Sequence, residues 1–233
     1  MNPDERPLVI AVDGPAGSGK SSVSRGVATR LGLRYLDTGA LYRALTWGLL
    51  EAGVSVQDVA QVAERAGAFR ISSGTDPGSP AIELDGRDVA AEIRSADVTG
   101  AVSAVSAIPE VRSLLLQSQR EAVERARRDG TGIVVEGRDI GTVVLPDADL
   151  KVYLTADPEE RARRRSVEAT GDAAGPGGLE ATQRRILDRD AKDSSRAIAP
   201  LAVAPDATVI DTTEMTLDEV IAAIVDLTRV GAS

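Results

Sequence analysis

A glycine-rich segment near the start of the chain constrains the fold more than any other feature. Residues 14–21 read Gly-Pro-Ala-Gly-Ser-Gly-Lys-Ser and follow the apolar run 8–12, Leu-Val-Ile-Ala-Val. A buried strand, a loop of small residues and a helix start form a P-loop, in which backbone N–H groups point at phosphate oxygens. Because the flanking strand and helix patterns are also present, a phosphate site is favoured over a chance match in a glycine-rich turn.

The charged end of this loop predicts how it holds a nucleotide. Lys20 is positioned to reach the β- and γ-phosphates, and the hydroxyl of Ser21 is positioned to hold Mg²⁺. Mg²⁺ is therefore the expected metal at this site. The predicted phosphate-binding residues are Gly14, Pro15, Ala16, Gly17, Ser18, Gly19, Lys20, Ser21 and Ser22.

The composition limits the chemistry available to such a site. The chain has 233 residues, of which 42% are hydrophobic, and it contains no cysteine and no histidine. Disulfides, thiol nucleophiles, most zinc sites and histidine-dependent triads are therefore excluded. Acid–base and phosphate chemistry must come from carboxylates, lysine, arginine and hydroxyl groups.

Net charge and hydropathy predict the partners and the compartment. The net charge of −9 disfavours a nucleic-acid partner, whose phosphates the protein would repel. No run approaches the ~20 apolar residues of a membrane span, and the first six residues lack the basic and apolar regions of a signal peptide. We therefore expect a cytoplasmic monomer that acts on small molecules and has no membrane or nucleic-acid partner.

Short apolar runs alternate with helical patterns, which predicts an α/β fold with a parallel sheet wrapped by helices. The predicted strands, all expected to be buried on both faces, are residues 8–12, 35–36, 133–135, 151–154 and 208–210. The clearest helix is predicted over 109–128, with an apolar face formed by Val111, Leu114, Leu115, Ala122, Val123 and Ala126. A C-terminal helix should begin with a capping box, Thr216 to Glu219, and bury Leu217, Val220, Ile221, Ile224 and Val225.

Two segments interrupt this alternation. Residues 68–93 contain alternating apolar residues and a strong hairpin signal at Asp85-Gly86, so they predict a small antiparallel insert. Residues 170–178 are rich in glycine and are expected to hold no helix, forming the tip of a mobile lid over about 158–182. An idle surface loop is the alternative for this tip. Residues 1–67 and 94–233 are predicted to form the core, which includes the lid.

Arginines with nearby carboxylates form the other candidate features. Helical spacing places Arg189, Asp193 and Arg196 on one face, where they could bind a phosphate or form only a solvated charged surface. The segment 136–139, Glu-Gly-Arg-Asp, follows the central predicted strand, at the end where open α/β sheets bind ligands. The segment 37–43 likewise ends a strand and opens a helix.

Five segments, in order along most of the chain, resemble bacterial-type cytidylate kinases of the nucleoside monophosphate kinase superfamily. They are residues 10–20, 36–43, 109–112, 136–147 and 188–201. The resemblance implies a P-loop NTPase three-layer fold with a five-stranded parallel sheet, an insert that binds the nucleoside monophosphate, and a lid. It also implies ATP-dependent phosphorylation of CMP and dCMP to CDP and dCDP.

The matching positions imply the roles of individual residues. Lys20, Arg138 and Arg196 are implied to be catalytic, and Arg161 and Arg164 to bind ATP beside the loop. The implied acceptor-binding residues are Thr38, Tyr42, Arg43, Ser103, Arg112, Arg138, Asp139, Arg189, Asp193 and Arg196. Among them, Ser103, Arg112 and Asp139 would read the cytosine edge. The acceptor phosphate would be held by Arg43, Arg138 and Arg196. Glu136 stands where many relatives have aspartate, which keeps the carboxylate and changes its reach.

Two other classes of protein that bind nucleotides through a P-loop are the alternatives to a cytidylate kinase. Another P-loop kinase of small molecules, of the shikimate or adenylate type, would share the loop but not the base-reading set. A GTP-dependent switch protein normally reads guanine with an Asn-Lys-x-Asp segment, and the only asparagine of this chain is Asn2. The residue pattern leaves the preference between CMP and dCMP open, and also the tolerance of UMP.

Overall fold

The apolar run before the P-loop forms strand β1, Val9–Asp13, and all five of its residues are buried. The computed structural model describes residues 6–170, 176–196 and 198–230. The other strands are β2 Arg34–Asp37, β3 Ile71–Ser73, β4 Ile82–Leu84, β5 Arg87–Asp88, β6 Ile133–Glu136, β7 Leu150–Thr155 and β8 Thr208–Asp211. The α-helices are α1 Lys20–Leu31, α2 Thr38–Glu51, α3 Val59–Ala66, α4 Ala96–Val105, α5 Pro109–Arg128, α6 Pro158–Thr170, α7 Pro176–Ser194 and α8 Leu217–Val230.

Five of the strands form one parallel sheet in the order β2-β6-β1-β7-β8, which confirms the predicted α/β fold. Ile10 of β1 lies opposite Leu150 of β7, and Val152 of β7 lies opposite Thr208 of β8. The expectation that every strand is buried on both faces is wrong for β8, where Val209 is 54% exposed. The reason is its position, because β8 is an edge strand of this sheet.

The chain forms two compact units. The first comprises Arg34–Ile133 with the described part of Met1–Leu8, and the second comprises Val9–Leu33 with the residues from Val134 onward. The first unit contains helices α2 to α5 and a three-stranded antiparallel sheet in the order β3-β4-β5. The second contains the P-loop and helices α1, α6, α7 and α8.

The antiparallel sheet of the first unit lies inside the predicted insert 68–93. Strands β4 and β5 pair with Leu84 opposite Arg87, so the two residues between them form the turn. Asp85 and Gly86 have φ of 53° and 81°, the left-handed pair that a two-residue type I′ turn requires. The hairpin predicted from Asp85-Gly86 is therefore confirmed, and the division into a core and a monophosphate-binding insert stays a prediction.

The two long helices predicted from apolar spacing are present. Helix α5 has the predicted bounds, but Leu114 is 37% exposed because the buried stripe runs through Val111, Leu115 and Gln119 instead. The capping box of α8 forms, since the amide of Thr216 donates to Glu219 Oε2 at 2.8 Å. Leu217, expected to be buried, is 49% exposed in the first turn of α8. None of the helices in the described ranges is long and apolar enough to cross a membrane.

Helices α6 and α7 form the segment predicted to be a lid, and they pack against each other. The expectation that residues 170–178 hold no helix is wrong at both ends, because residue 170 belongs to α6 and residues 176–178 begin α7. Proline at the first position of α7 has a backbone angle suited to a helix start, which offsets the two glycines after it. Residues 171–175, the rest of that tip, lie outside the described residues.

Candidate active site

The P-loop connects β1 to α1 through a backbone with positive φ at three positions, a conformation that favours glycine strongly. Gly14, Gly17 and Gly19 have φ of 151°, 75° and 85°. A Cβ atom on Gly14 would overlap the carbonyl oxygen of Leu154, and one on Gly17 would lie 2.6 Å from the carbonyl oxygen of Arg161. The loop therefore lies close against β7 and α6, and its spacing of glycines has a steric cause.

Lys20 is the first residue of α1, and its partly buried side chain lies over the loop. The ammonium donates to the carbonyl oxygen of Pro15 at 2.7 Å, and the hydroxyl of Ser18 donates to the same oxygen at 3.1 Å. Desolvation is the main cause that lowers the pKa of Lys20 to about 7, and the positive charge of Arg138 lowers it further. An anion at this position would favour the charged form of the lysine.

The hydroxyl of Ser21 is suited to Mg²⁺. Ser21 follows Lys20 in the first turn of α1 and is exposed. Within the described residues, no group of three or more carboxylate, histidine or cysteine side chains could hold a metal by itself. Mg²⁺ in nucleotide sites is usually held by one or two protein oxygens together with phosphates and water. A single hydroxyl beside a phosphate-binding loop fits that donor set.

Asp13, the last residue of β1, anchors the segment that follows β6. Its carboxylate accepts the amides of Ile140 at 2.8 Å and Gly141 at 2.7 Å. Burial is the main cause that raises the pKa of Asp13 to about 6. These bonds fix the turn that carries Arg138 and the buried Asp139. The sequence analysis missed this role of Asp13, although a carboxylate at the end of a fully apolar strand is a usable signal.

Two carboxylates of α7, Asp190 and Asp193, form ion pairs with four arginines. Arg138 lies 3.1 Å from Asp190 and 3.3 Å from Asp193, and Arg161 forms a short ion pair with Asp190. Asp193 also pairs with Arg189, at 3.8 Å, and with Arg196. The structure thus brings together the predicted residues Arg138, Arg189, Asp193 and Arg196.

This arginine cluster is bonded to the P-loop itself. Arg138 donates to the carbonyl oxygen of Gly14 at 3.3 Å, and Arg161 donates to that of Ala16 at 3.1 Å. The amide of Ala16 donates to Asp190 at 3.1 Å. Sequence reasoning did not assign Asp190 a role, although it lies three residues before Asp193 and so on the same helical face.

A cavity of about 600 Å³ adjoins the loop within the second unit. Its lining comprises Gly17, Ser18, Gly19, Ser22, Val23, Glu160, Arg163, Arg164, Arg165, Thr212, Thr213, Glu214, Met215, Thr216, Leu217 and Val220. Arg164 is fixed in its wall, donating to Thr212 Oγ1 at 2.8 Å and to Glu160 at 2.7 Å. The hydrogen bond from Arg163 is the main cause that lowers the pKa of Glu160 to about 2. Residues 212–217 were missed, although they follow the carboxyl end of β8, where α/β sheets bind ligands.

The remaining predicted acceptor residues lie in the first unit. Arg43 on α2 donates to the carbonyl oxygen of Ile93 at 3.2 Å and to Thr99 Oγ1 at 3.0 Å. The guanidinium of Arg112 lies 5.7 Å from the ring centroid of Tyr42 and donates to the carbonyl oxygen of Ser106 at 3.3 Å.

Thr38 and Ser103 belong to the same unit. Thr38 is buried at the start of α2, whose N-terminus is capped by Asp37. The carbonyl oxygen of Ser103 on α4 accepts the hydroxyl of Ser106 at 3.3 Å. Arg43, Tyr42, Arg112, Thr38 and Ser103 are therefore all held by helices α2, α4 and α5.

Comparison with known proteins identifies the family. A family model described as cytidylate kinase matches residues 10–230. The cytidylate kinase of Nocardia farcinica is 55% identical over 218 residues, covering 94% of this chain and 92% of the relative. The cytidylate kinase of Streptomyces avermitilis is 53% identical over 220 residues, with the same coverage of 94% and 92%. That of Mycobacterium leprae is 51% identical over 225 residues, covering 95% and 96%.

A solved structure supports the fold alone. The crystal structure of an uncharacterized protein from Eubacterium ventriosum has a TM-score of 0.51 at 13% identity and covers 95% of this chain and 98% of that chain. The family match and the similarity to the three relatives each span nearly the whole chain. This chain therefore belongs to the cytidylate kinase family.

Proposed function

We propose that this protein transfers the γ-phosphoryl group of ATP to CMP and dCMP, giving ADP with CDP or dCDP. The observation that carries the proposal is the P-loop with Lys20 at its end and Arg138 and Arg161 bonded to its backbone. Loop amides, a lysine and guanidinium groups are the donors that phosphoryl transfer needs. Relatives at 53% and 55% identity carry the name cytidylate kinase.

In this proposal ATP binds in the second unit. Its phosphates would lie on the loop residues 14–22, and its base would occupy the cavity of about 600 Å³ beside them. Val23, Met215 and Leu217 supply apolar surface to that cavity, and Arg164 supplies a fixed planar guanidinium on which a base can stack. Arg161 reaches the same loop from α6.

Mg²⁺, held by the hydroxyl of Ser21 together with the nucleotide phosphates, would neutralise charge that develops on the transferred group. Lys20, Arg138 and Arg196 would supply the remaining positive charge from the protein. Phosphoryl transfer passes through a loose transition state, so alignment and charge neutralisation matter more than covalent participation by the protein. The acceptor is an already ionised phosphate, so no side chain is needed as a strong base. A transfer that needs no general base agrees with a chain that contains no histidine.

The acceptor is assigned by charge and hydrogen-bonding pattern. Arg43, Arg138 and Arg196 would hold its phosphate, with Arg189 and Asp193 toward sugar or phosphate. Ser103, Arg112 and Asp139 would read cytosine, which offers an amino donor beside two acceptors. Thr38 and Tyr42 would also contact the acceptor. A monomeric state and a cytoplasmic location complete the proposal.

A coupled assay of ADP release tests this function. The purified protein is given ATP and Mg²⁺ with CMP, dCMP, UMP, AMP or shikimate in turn. We expect CMP and dCMP to have the highest kcat/KM, with UMP lower by tenfold or more, at about 1 to 3 kcal/mol for each unmet buried hydrogen bond. Preference for AMP or shikimate would overturn the assignment and favour one of the rival kinase classes.

A further inference from the structure

The carboxylate of Asp190 is the point on which the P-loop and two arginines converge. Its Oδ1 accepts the amide of Ala16 at 3.1 Å and lies 3.1 Å from Arg138 Nη1, and its Oδ2 pairs with Arg161 Nη1. Its side chain is only 14% exposed. A carboxylate that is mostly shielded from solvent and accepts from three donors occupies an anion site with a group of the protein itself.

These donors are of the kinds that a phosphate uses. A loop amide and guanidinium groups bind phosphate oxygens in P-loop proteins. The same two guanidinium groups are bonded to the loop, through the carbonyl oxygens of Gly14 and Ala16. An oxygen of a bound phosphate and an oxygen of Asp190 cannot both take the amide hydrogen of Ala16 at full strength, and the two anions would repel each other.

The carboxylate also has a favourable role. Arg138, Arg161 and Lys20 are three cations around one short loop, and the charge of Arg138 already lowers the pKa of Lys20. Without a counter-charge, the guanidinium groups would repel each other and the lysine. Asp190 compensates this repulsion and fixes both guanidinium groups against the loop.

We propose that Asp190 is a positioning residue for phosphoryl transfer, a carboxylate that takes a phosphate's place on Ala16, Arg138 and Arg161 and is displaced when donor phosphates bind. The inference rests on the proposed function, because the phosphates are those of ATP on the P-loop. The proposal predicts that removal of the charge of Asp190 strengthens the binding of a polyphosphate. Loss of a purely structural residue would weaken that binding.

Inorganic tripolyphosphate is the direct probe, since it carries the phosphates without a base or sugar. Calorimetry without CMP compares the wild-type chain with Asp190→Asn, which keeps the shape and removes the charge. We expect Kd to fall at least fivefold. The matched control is Asp188→Asn, an exposed position on the same helix that loses the same charge. Its Kd should stay within twofold of wild type, and an equal gain in both variants would reduce the effect to net charge and overturn the proposal.

Steady-state kinetics and a conservative variant separate positioning from structural support. In Asp190→Asn, KM for ATP and kcat should both fall, because donor and product phosphates are held more tightly and released more slowly. Asp190→Glu keeps the charge and should return Kd for tripolyphosphate to within threefold of wild type. A rise of KM for ATP in a folded Asp190→Asn protein would mean that the carboxylate only supports the site, and the proposal would be wrong.

A measurement on the unaltered chain keeps the test decisive if Asp190→Asn does not fold. The ¹³C carboxyl resonance of Asp190 should shift when tripolyphosphate saturates the protein, because the carboxylate exchanges two guanidinium partners for water. An unchanged resonance would overturn the proposal. The proposed function fails separately, if the wild-type protein binds tripolyphosphate but does not phosphorylate CMP.

Discussion

The ammonium group of Lys20 donates a hydrogen bond to the carbonyl oxygen of Pro15 at 2.7 Å. The lysine thereby lies over the loop that encloses the proposed phosphate site, close to Arg138. Desolvation and that neighbouring charge lower the pKa of Lys20 to about 7. A lysine with this pKa is largely neutral above neutral pH, so a bound polyanion would change its protonation as well as its contacts.

Binding of ATP should therefore be linked to proton uptake. At pH 8 most Lys20 groups of the free protein are neutral, and the phosphates raise the pKa of Lys20 toward its ordinary value. We expect a net proton uptake on ATP binding at pH 8 that is larger than the uptake at pH 6. Calorimetry at both pH values in buffers of different ionisation enthalpy measures this uptake. If Lys20→Met takes up the same number of protons on binding, the titrating group is another residue.

Removal of the charge of Lys20 should abolish transfer and leave the fold intact. Lys20→Ala should lower kcat/KM by about 10³-fold or more, as is found for other charge-stabilising groups in phosphoryl transfer. The control is Lys192→Ala, an exposed lysine on α7, which should retain wild-type activity. Circular dichroism and thermal unfolding verify that both variants fold. Near-normal turnover in folded Lys20→Ala would refute the P-loop assignment.

The sequence predicts those parts of the site that depend on local spacing. The strand, loop and helix around residues 14–19, the α5 boundaries and the Asp85-Gly86 turn are present as predicted, because each depends on backbone geometry over a few residues. The exposed edge strand β8 was not predicted, since an apolar run does not reveal whether a strand lies at the centre or the edge of a sheet.

Contacts between distant segments could not be predicted in the same way. Asp190 lies 174 residues from Ala16 in the chain, and Asp13 lies 127 residues from Ile140. Helical spacing predicts that Asp193 shares a face with Arg189, but no local pattern indicates which loop that face will meet. Conversely, Pro176 gave a usable helix-start signal that the glycines around it obscured.

Asp13 should make stability depend on pH in a direction opposite to most aspartates. Its pKa rises from 3.8 to about 6 in the folded chain, so the folded state binds more protons than the unfolded state between these values. Stability from this group is therefore present below about pH 4 and is lost as pH rises through 6, by about 3 kcal/mol in total.

Asp13→Asn removes the titration of this carboxylate and leaves every other titratable group of the chain in place. The asparagine leaves one of the two amides of Ile140 and Gly141 less well satisfied, which adds a penalty independent of pH. Urea unfolding between pH 4 and 7 should show the wild-type free energy of unfolding falling relative to the variant by about 2.4 kcal/mol, the part of the total that lies in this pH range. A flat difference across this range would contradict the raised pKa.

Two Gly→Ala substitutions should change the free energy of unfolding in opposite directions. Gly14→Ala forces a side chain onto a backbone with φ of 151° and against the carbonyl oxygen of Leu154, and we expect a loss of roughly 3 kcal/mol or more. Gly100 is exposed inside α4 with open space around it, so Gly100→Ala should gain about 0.5 to 1 kcal/mol. Urea unfolding measures both changes. Equal destabilisation by the two would mean that Gly14 is not constrained by β7.

The carboxylate of Asp139 should make CMP a better substrate than UMP. It is buried, at 6% exposure, in the segment that Asp13 anchors. Cytosine offers an amino donor at position 4 beside the acceptor N3, whereas uracil has a carbonyl at position 4 and a donor N3–H. A carboxylate suits the amino donor and faces an acceptor when uracil is bound. Each unmet buried group costs about 1 to 3 kcal/mol, which is about ten- to a hundredfold in kcat/KM.

Asp139→Ala should therefore narrow the ratio of kcat/KM for CMP over UMP by tenfold or more, mainly by lowering the value for CMP. Arg196→Ala is the matched comparison, because the phosphate it is proposed to hold is common to both nucleotides. It should depress CMP and UMP by equal factors and leave their ratio unchanged. Coupled assays of both variants with CMP and UMP give the two ratios. If Asp139→Ala lowers both nucleotides by the same factor, its carboxylate positions the acceptor as a whole, and the base must be read by Ser103 and Arg112.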